Sequence, residues 1–122
     1  MGIYHFQDVD WHVPTSAGTD PQAAADAGRR GARRRFLAQG DNGFYSQIVD
    51  LPPDFDTPAH SHDHAEVFVV LEGSCTFNGD TLQPYDTAVI PAHGVYGFKT
   101  GPDGLRFLVV RTGQAAFAAA PA

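Results

Sequence analysis

The chain has 122 residues, which is enough for one domain with its own hydrophobic core and too few for a second domain of ordinary size. Its 14 acidic and 8 basic residues give a net charge of −6, which disfavours nucleic acid and anionic membranes as partners. The 13 glycines and 9 prolines favour many turns over long helices, so the composition is typical of an all-β domain.

No part of the sequence indicates export or membrane insertion. The start, MGIYHFQDVDW, has neither a basic region nor an apolar core of a signal peptide, and no apolar stretch could span a bilayer. Cys75 is the only cysteine and is expected to be a small core residue, with a pocket-facing thiol as the alternative. A soluble cytoplasmic protein is therefore expected.

Residues 1–35 are predicted to form an irregular arm or lid. Two turns of helix are predicted from Pro21 to Ala27, because Asp20 followed by proline is a helix-start signal. Five of the eight basic residues then cluster in RRGARRR: Arg29, Arg30, Arg33, Arg34 and Arg35. This cluster could bind an anion or nucleic acid, but the overall acidity favours a solvated face or an ion-pairing subunit contact.

Residues 36–113 are predicted to form a sandwich or barrel of short strands. The candidate strands are residues 34–39, 44–51, 58–62, 66–71, 74–78, 80–83, 87–90, 95–100 and 105–112. Asn78-Gly79 is the strongest hairpin signal, because both residues accept a positive φ in a type I′ turn. The tail, residues 114–122, is expected to fray, although Phe117 could dock on a subunit or on the end of the barrel.

Fourteen residues in the middle of the chain, HSHDHAEVFVVLEG, carry most of its chemistry. Side chains alternate faces in an extended segment, so His60 and His62 point the same way and can offer two imidazoles to one ion. Glu66 opens the next apolar strand after a short turn, and its carboxylate can face the same ion. The alternative to metal binding is a set of solvated histidines at the end of a strand. If the sequence offered only the histidine pair, this alternative would be favoured.

The spacing of these residues resembles the first motif of the cupin family, G-x5-H-x-H-x3,4-E-x6-G. Four positions match: His60, His62, Glu66 and Gly73. The leading glycine of the motif is replaced by Asp54. The second motif, G-x5-P-x-G-x2-H-x3-N, matches only at Pro91; the other positions hold Tyr85, His93, Tyr96 and Thr100. The resemblance covers residues 44–112 and implies an all-β cupin jelly roll, in which two antiparallel sheets surround a ligand-sized cavity.

The resemblance implies that His60, His62 and Glu66 ligate a divalent metal ion, and Tyr96 stands where a fourth histidine is usual. A neutral phenol with a pKa of ~10 is a poor ligand, so three roles are open to Tyr96. It is a direct ligand, a hydrogen-bond donor to a metal-bound water or substrate oxygen, or a simple core tyrosine. His93 could substitute as a ligand, but a position at the rim or surface is favoured.

The surroundings of the site are predicted in the same way. His64 lies in the proposed turn and is expected at the rim of the site or in a hydrogen bond to a ligand. The aromatic rings of Phe68, Phe98 and Phe107 are expected to form an apolar wall for a substrate.

Two histidines and one carboxylate with open coordination positions suit Fe(II) in oxygen-activating enzymes, although Mn, Ni, Zn or Cu would also be accepted. The leading prediction is a dioxygenase-like enzyme for a small molecule that chelates through adjacent oxygens, with Tyr96 and Glu66 as catalytic residues. The alternatives are a non-oxidative isomerase, cyclase or lyase, a non-catalytic small-molecule-binding module, and a degenerate cupin that has lost its ion. A homodimer is expected, because exposed strand edges need cover and the arm could supply it as a swapped segment.

Overall fold

The computed structural model describes residues 1–13, 21–114 and 117–119. One α-helix in these residues, α1 (Pro21–Arg29), precedes eight strands. The strands are β1 (Arg33–Gln39), β2 (Tyr45–Leu51), β3 (Asp56–His62), β4 (Glu66–Phe77), β5 (Asp80–Leu82), β6 (Thr87–Ile90), β7 (Tyr96–Arg111) and β8 (Phe117–Ala119). Single 3-10 turns lie at Phe6–Asp8 and Asp41–Gly43. The all-β jelly-roll prediction is confirmed.

Two long strands, β4 and β7, organise the barrel. They pair with each other along most of their length, and every strand pair of the described residues is antiparallel. The second half of β7 also pairs with β2, while its first half pairs with β3. The strands follow the order β1, β2, β7, β3, β8, and β4 adds β5 and β6 on its other side. One strand, β7, therefore reaches every part of the sheet that carries a candidate site residue.

The glycines in the middle of β7 are part of the strand. The sequence predicts two strands, 95–100 and 105–112, separated by the turn-like Gly-Pro-Asp-Gly, whereas β7 runs without a break over 16 residues. The register against β4 shifts near Gly73, whose φ is +77°. A Cβ on Gly73 would meet the carbonyl oxygen of Gly104, so the two backbones come too close for any side chain. This contact explains the final glycine of the motif.

Two other local predictions can be compared with the backbone. Asn78 and Gly79 both have positive φ and join β4 to β5 at the Phe77–Asp80 pair, so the hairpin is confirmed. In the tail, residues 117–119 pair with residues 60–62 as β8, where fraying was expected. A short edge strand can be held by backbone hydrogen bonds alone. An alanine-rich segment has no alternation of polar and apolar residues that would predict such a strand. Docking of the Phe117 side chain lies outside the described residues.

The barrel interior is filled by aromatic and aliphatic side chains. Phe68 is fully buried, and its ring stacks on Phe107 with centroids 4.4 Å apart. Cys75 is 1% exposed, which confirms it as a core residue, and burial raises the pKa of its thiol to about 11. The thiol is therefore protonated at neutral pH and inert.

The N-terminal arm lies on its own barrel. The backbones of His12 and Arg34 exchange two hydrogen bonds, of 2.7 and 2.8 Å, so the arm pairs with the outer edge of β1. The predicted helix is present as α1 and extends two residues beyond Ala27, while Asp20 lies outside the described residues. No helix in the described ranges is long and apolar enough to cross a membrane.

The arginines of β1 hold the arm in place on the outer face. The guanidinium of Arg33 lies 3.9 Å from the ring centre of Trp11, and that of Arg35 lies 4.1 Å from it. Arg33 also pairs with Asp50, which accepts two further hydrogen bonds, of 2.6 and 2.9 Å, from Arg106. The outer arginine set, Arg33, Arg35 and Arg106, therefore makes contacts within the chain that the prediction of a solvated face or subunit contact did not foresee.

Candidate functional site

The two histidines of the motif lie side by side at the end of β3. Their ring centres are 5.0 Å apart, and His60 is 4% exposed. The Nδ1 of His60 is 2.9 Å from the carbonyl oxygen of Pro58, a donor contact that leaves Nε2 with the lone pair needed by a metal ion. Burial lowers the pKa of His60, so its ring is neutral at pH 7. Both features prepare an imidazole for ligation.

The carboxylate of the motif is buried in an ion pair. Glu66 begins β4 directly opposite Arg111 near the end of β7, and the Nε of Arg111 donates a 2.8 Å hydrogen bond to Oε2 of Glu66. The Glu66 side chain is only 1% exposed, and that of Arg111 is 14% exposed. The other oxygen, Oε1, is buried and has no hydrogen-bond partner within the described part of the chain. A buried oxygen of this kind is unfavourable unless something binds it.

Tyr96 is the side chain that connects the histidines to this ion pair. It pairs with His60 across β3 and β7, and the two ring centres are 4.3 Å apart. Burial raises the pKa of Tyr96, and the nearby Glu66 carboxylate raises it further, which Arg111 only partly opposes. The phenol is therefore neutral at any physiological pH and is suited to donate a hydrogen bond rather than to ligate as a phenolate.

The two remaining histidine candidates lie at the edge of the site. His93 is exposed, has a φ of +64°, and donates its backbone N–H to the carbonyl oxygen of His62 over 2.7 Å. His64 is partly exposed in the turn between β3 and β4 and lies near Gly113 and Asp63. Both positions agree with a rim location, while their roles toward a ligand stay predictions.

The three phenylalanines predicted to form the substrate wall are all buried on the inner face. Phe68, Phe98 and Phe107 contact one another, with ring centres 4.4 to 5.7 Å apart. A further ring, Phe77, joins this cluster and stacks on Tyr96 at 5.1 Å. The cluster forms a dry floor beneath Tyr96, and its contact with a substrate stays a prediction.

Two cavities of about 200 and 320 Å³ lie elsewhere. The first is lined by residues at the far end of the barrel, among them Glu72, Asp103 and Arg106. The second lies between the arm and the outer face, beside Phe6 and Ile48. Neither is lined by the histidines or Glu66, so neither cavity is the predicted site.

The donor set fits a divalent ion in its chemistry. Two imidazoles and the unpartnered Oε1 of Glu66 are ligands that such an ion accepts, and Arg111 limits Glu66 to one-oxygen ligation by holding Oε2. In the described ranges, however, no three His, Cys, Asp or Glu side chains converge closely enough to hold an ion. Ligation by His60, His62 and Glu66 therefore requires these side chains to move toward one another.

Three polar residues of the inner face were not singled out as site residues from the sequence. Arg111 forms an ion pair with Glu66, which lies 45 positions earlier in the sequence. No local sequence pattern predicts this pair. Gln47 is 7% exposed on β2, and Arg34 reaches its Oε1 over 3.5 Å. Strand alternation within RRR would have separated Arg34 from its two neighbours, had residues 33–35 been assigned to one strand.

Comparisons with known proteins give both a family and structural relatives. The family model described as a cupin domain matches residues 47–111, just over half of the chain. The polyketide cyclase RemF from Streptomyces resistomycificus is 26% identical, with 100% of this chain and 87% of RemF covered and a TM-score of 0.75. KdgF from Halomonas sp. is 19% identical, with 93% and 96% covered and a TM-score of 0.68. The lyase DddQ from Ruegeria pomeroyi, which acts on DMSP, is 18% identical, with 87% and 57% covered and a TM-score of 0.67. The curated proteins contain no match.

Proposed function

The chain belongs to the cupin family, and from that premise we propose that it is a non-oxidative, metal-dependent enzyme of the cyclase or lyase type. Its substrate is a small molecule with adjacent oxygen donors, such as a β-diketone or a longer poly-carbonyl chain. His60, His62 and Glu66 bind the metal ion, and Tyr96 donates a hydrogen bond to a substrate oxygen. The single observation that carries this proposal is the buried Tyr96, whose ring centre lies 4.3 Å from that of His60 in a site that also contains the Glu66–Arg111 pair.

His60, His62 and Glu66 would hold a divalent ion, which would supply polarisation of a carbonyl oxygen of the substrate. The residues of the chain orient the substrate and stabilise charge on it. Tyr96 donates a hydrogen bond to the second oxygen as negative charge develops there, and its high pKa keeps the proton on the phenol until that moment. The contact between His60 and Pro58 holds the imidazole orientation throughout.

The aromatic floor supports the same role. Phe77 stacks on Tyr96 and fixes the direction of the phenol, and the buried cluster beneath it excludes water. Hydrogen bonds to a developing anion are stronger in such a dry environment than in water. The site thus favours cyclisation or elimination reactions in which negative charge develops on a substrate oxygen.

The oxygenase predicted from the sequence remains a second candidate, because two histidines and one carboxylate leave coordination positions for dioxygen. Two observations support the non-oxidative alternative instead. The likeness to the polyketide cyclase RemF extends over the whole chain at 26% identity. Tyr96 is also buried, where its neutral phenol can donate a hydrogen bond to an oxygen that gains negative charge.

The test is product analysis with and without oxygen. Protein loaded with Fe(II), Mn(II), Ni(II) or Zn(II) is incubated with short linear β-diketones and triketones, and the products are identified by mass spectrometry. We expect cyclised or dehydrated products, of unchanged mass or with one water lost, at equal rates in air and under strict anaerobiosis. Oxygen uptake with oxygen-containing products would overturn the proposal in favour of the oxygenase, and no turnover with any metal would favour a binding module.

Replacement of Tyr96 by phenylalanine tests the role of its hydroxyl as a hydrogen-bond donor to the substrate. The ring and its stacking remain in Tyr96→Phe, but the hydroxyl is lost, so we expect kcat to fall by roughly 10²- to 10³-fold with bound metal unchanged. Tyr85→Phe is the matched control, because Tyr85 is 79% exposed and remote from the histidines. Equal kcat in both variants would show that Tyr96 is only a core residue.

The homodimer and the cytoplasmic location expected from the sequence stay predictions. The described part of the arm pairs with its own β1 through His12 and Arg34, so a swapped arm is not needed to cover that edge. Size-exclusion chromatography of the full chain tests the dimer directly.

A further inference from the structure

We propose that Arg34 and Arg111, together with Gln47, form a carboxylate-binding subsite beside the histidines, so that the substrate of this protein carries a free carboxylate. This inference rests on the proposed function for the identity of the reaction, but not for the binding of the anion. It adds a charged anchor to a substrate that was defined above only by its carbonyl oxygens.

Strand alternation places Arg34 inside the barrel. Its neighbours Arg33 and Arg35 both reach the ring of Trp11 on the outer face, so the residue between them faces the other way. Arg34 is the cross-strand partner of Val49, which belongs to the hydrophobic core. The guanidinium is thus brought into the interior by the geometry of β1 rather than by an ion pair.

Arg34 has no carboxylate partner in the described part of the chain. The one hydrogen bond of its guanidinium is the 3.5 Å contact with Gln47, at the outer limit for such a bond. By contrast, Arg33 and Arg106 share Asp50, and Arg111 has Glu66. Arg34 is half-buried, and a guanidinium partly shielded from water without a counter-charge is unfavourable, which suggests that the counter-charge arrives with a ligand.

Arg111 is close enough to act on the same ligand. Gln47, which accepts the contact from Arg34, pairs with Val109 across β2 and β7, and Arg111 lies two residues further along β7 on the same face of the sheet. The Nε of Arg111 donates its hydrogen bond to Glu66, and the two terminal nitrogens of the guanidinium are further donors that could contact a ligand. Two arginines and one glutamate give this region a net positive charge inside a protein whose net charge is −6.

The planar guanidinium fork matches the two oxygens of a carboxylate, and the amide of Gln47 can donate an additional hydrogen bond. The 2.8 Å hydrogen bond of Arg111 to Glu66 places the subsite next to the proposed reacting centre. A keto acid could therefore place its carboxylate between the arginines while its carbonyl groups face the histidines and Tyr96.

Binding of levulinate, a stable keto acid, tests the subsite independently of turnover. Its methyl ester has the same ketone without the charge, and inorganic phosphate is an anion of different shape. In isothermal titration calorimetry of the metal-loaded protein, we expect levulinate to bind at least tenfold more tightly than either the ester or phosphate. Equal affinities for acid and ester would overturn the subsite without any variant, and tighter phosphate binding would overturn the assignment to carboxylates.

The variants are Arg34→Met, which keeps most of the side-chain length without the charge, and Arg34→Lys, which keeps the charge without the fork. We expect a roughly ten- to hundredfold loss of levulinate affinity in Arg34→Met, a smaller loss in Arg34→Lys, and affinity within twofold of wild type in the outer-face control Arg33→Met. Unchanged affinity in Arg34→Met would contradict the proposal.

The outcome for the subsite is separable from the outcome for the proposed function. Levulinate binding that depends on Arg34, without any cyclisation or elimination, would retain the subsite and reject the reaction. Turnover that is equal for acid and ester substrates, and equal in Arg34→Met, would retain the reaction and reject the subsite.

Discussion

The two faces of β1 use the same residue type in opposite ways. On the outer face, Arg33 and Arg35 lie on Trp11, and Asp50 neutralises Arg33. On the inner face, Arg34 has a long contact with Gln47 and no carboxylate partner within the described residues. Arg33 has a carboxylate partner, and Arg35 donates to the carbonyl oxygen of Phe6, although the buried Nε of Arg35 has no hydrogen-bond partner among the described residues. Arg34 has neither a carboxylate nor an aromatic ring against it there, and we propose that a ligand supplies its partner. Within three consecutive residues, Arg33 and Arg35 stabilise the fold, while Arg34 is the residue that we propose binds a ligand.

The largest expected effect is on the inner face, where the ion pair of Glu66 and Arg111 is buried. Replacing Arg111 by methionine leaves a nearly inaccessible carboxylate without its partner, which should lower the free energy of unfolding by about 3–5 kcal/mol. Urea unfolding of protein treated with a chelator to remove any metal measures this change. The double variant with Glu66→Met should regain most of the loss, because both charges are then absent. A loss below about 1 kcal/mol in Arg111→Met would contradict a tightly buried pair.

A smaller effect is expected on the outer face from Trp11→Ala. This variant removes the ring beneath Arg33 and Arg35, and each cation–π contact contributes about 0.5–1 kcal/mol. We therefore expect a loss of about 1–2 kcal/mol in urea unfolding, with levulinate affinity unchanged. Trp11→Phe should lose less because it keeps an aromatic ring. Altered levulinate affinity in Trp11→Ala would mean that the two faces are coupled.

The smallest effect is the acid sensitivity of the outer face. Burial alone would raise the pKa of Asp50, but hydrogen bonds from Arg106 and Arg33 outweigh it, so the pKa in the folded protein is lowered. The stabilisation from Asp50 is therefore present above its unfolded pKa of about 3.9 and is lost as the pH falls through the lower folded value. The stability difference between wild type and Asp50→Asn should thus shrink below about pH 4.

The matched control for this pH dependence is Asp56→Asn. Asp56 is exposed at the start of β3, so its replacement should leave the acid limb of the stability profile parallel to that of wild type. A difference between Asp50→Asn and wild type that stays constant down to about pH 2 would contradict the lowered pKa.

Local patterns predicted much of the fold. The hairpin at Asn78-Gly79, the helix after Pro21 and most strands follow from turn chemistry and alternation, which act over a few residues. The continuous β7 was missed because its Gly-Pro-Asp-Gly segment has the composition of a turn. The segment is part of a strand because β4 pairs with β7 on both sides of it, Gly73 with Leu105 and Cys75 with Thr100, and this pairing is long-range.

The site was predictable in its residue types and less so in its connections. The spacing and the family resemblance predicted that His60, His62 and Glu66 share a site. The structure places the two histidine rings 5.0 Å apart, while ligation of one ion by all three residues stays a prediction. The partner of Glu66 could not be foreseen, because Arg111 reaches it only through the pairing of β4 with β7. Whether an arginine in RRGARRR is satisfied or unsatisfied likewise depends on which side chains the other strands bring to it.

The short pairing of β8 with residues 60–62 has a consequence for local stability. The segment that carries both histidines is hydrogen-bonded to β7 on one side and to only three residues near the C-terminus on the other. Opening of that three-residue ladder would turn the histidine segment into a sheet edge, with its amides open to hydrogen exchange at a small fraction of the cost of global unfolding. Pairing with residues 117–119 thereby limits how far the backbone that carries the imidazoles can move.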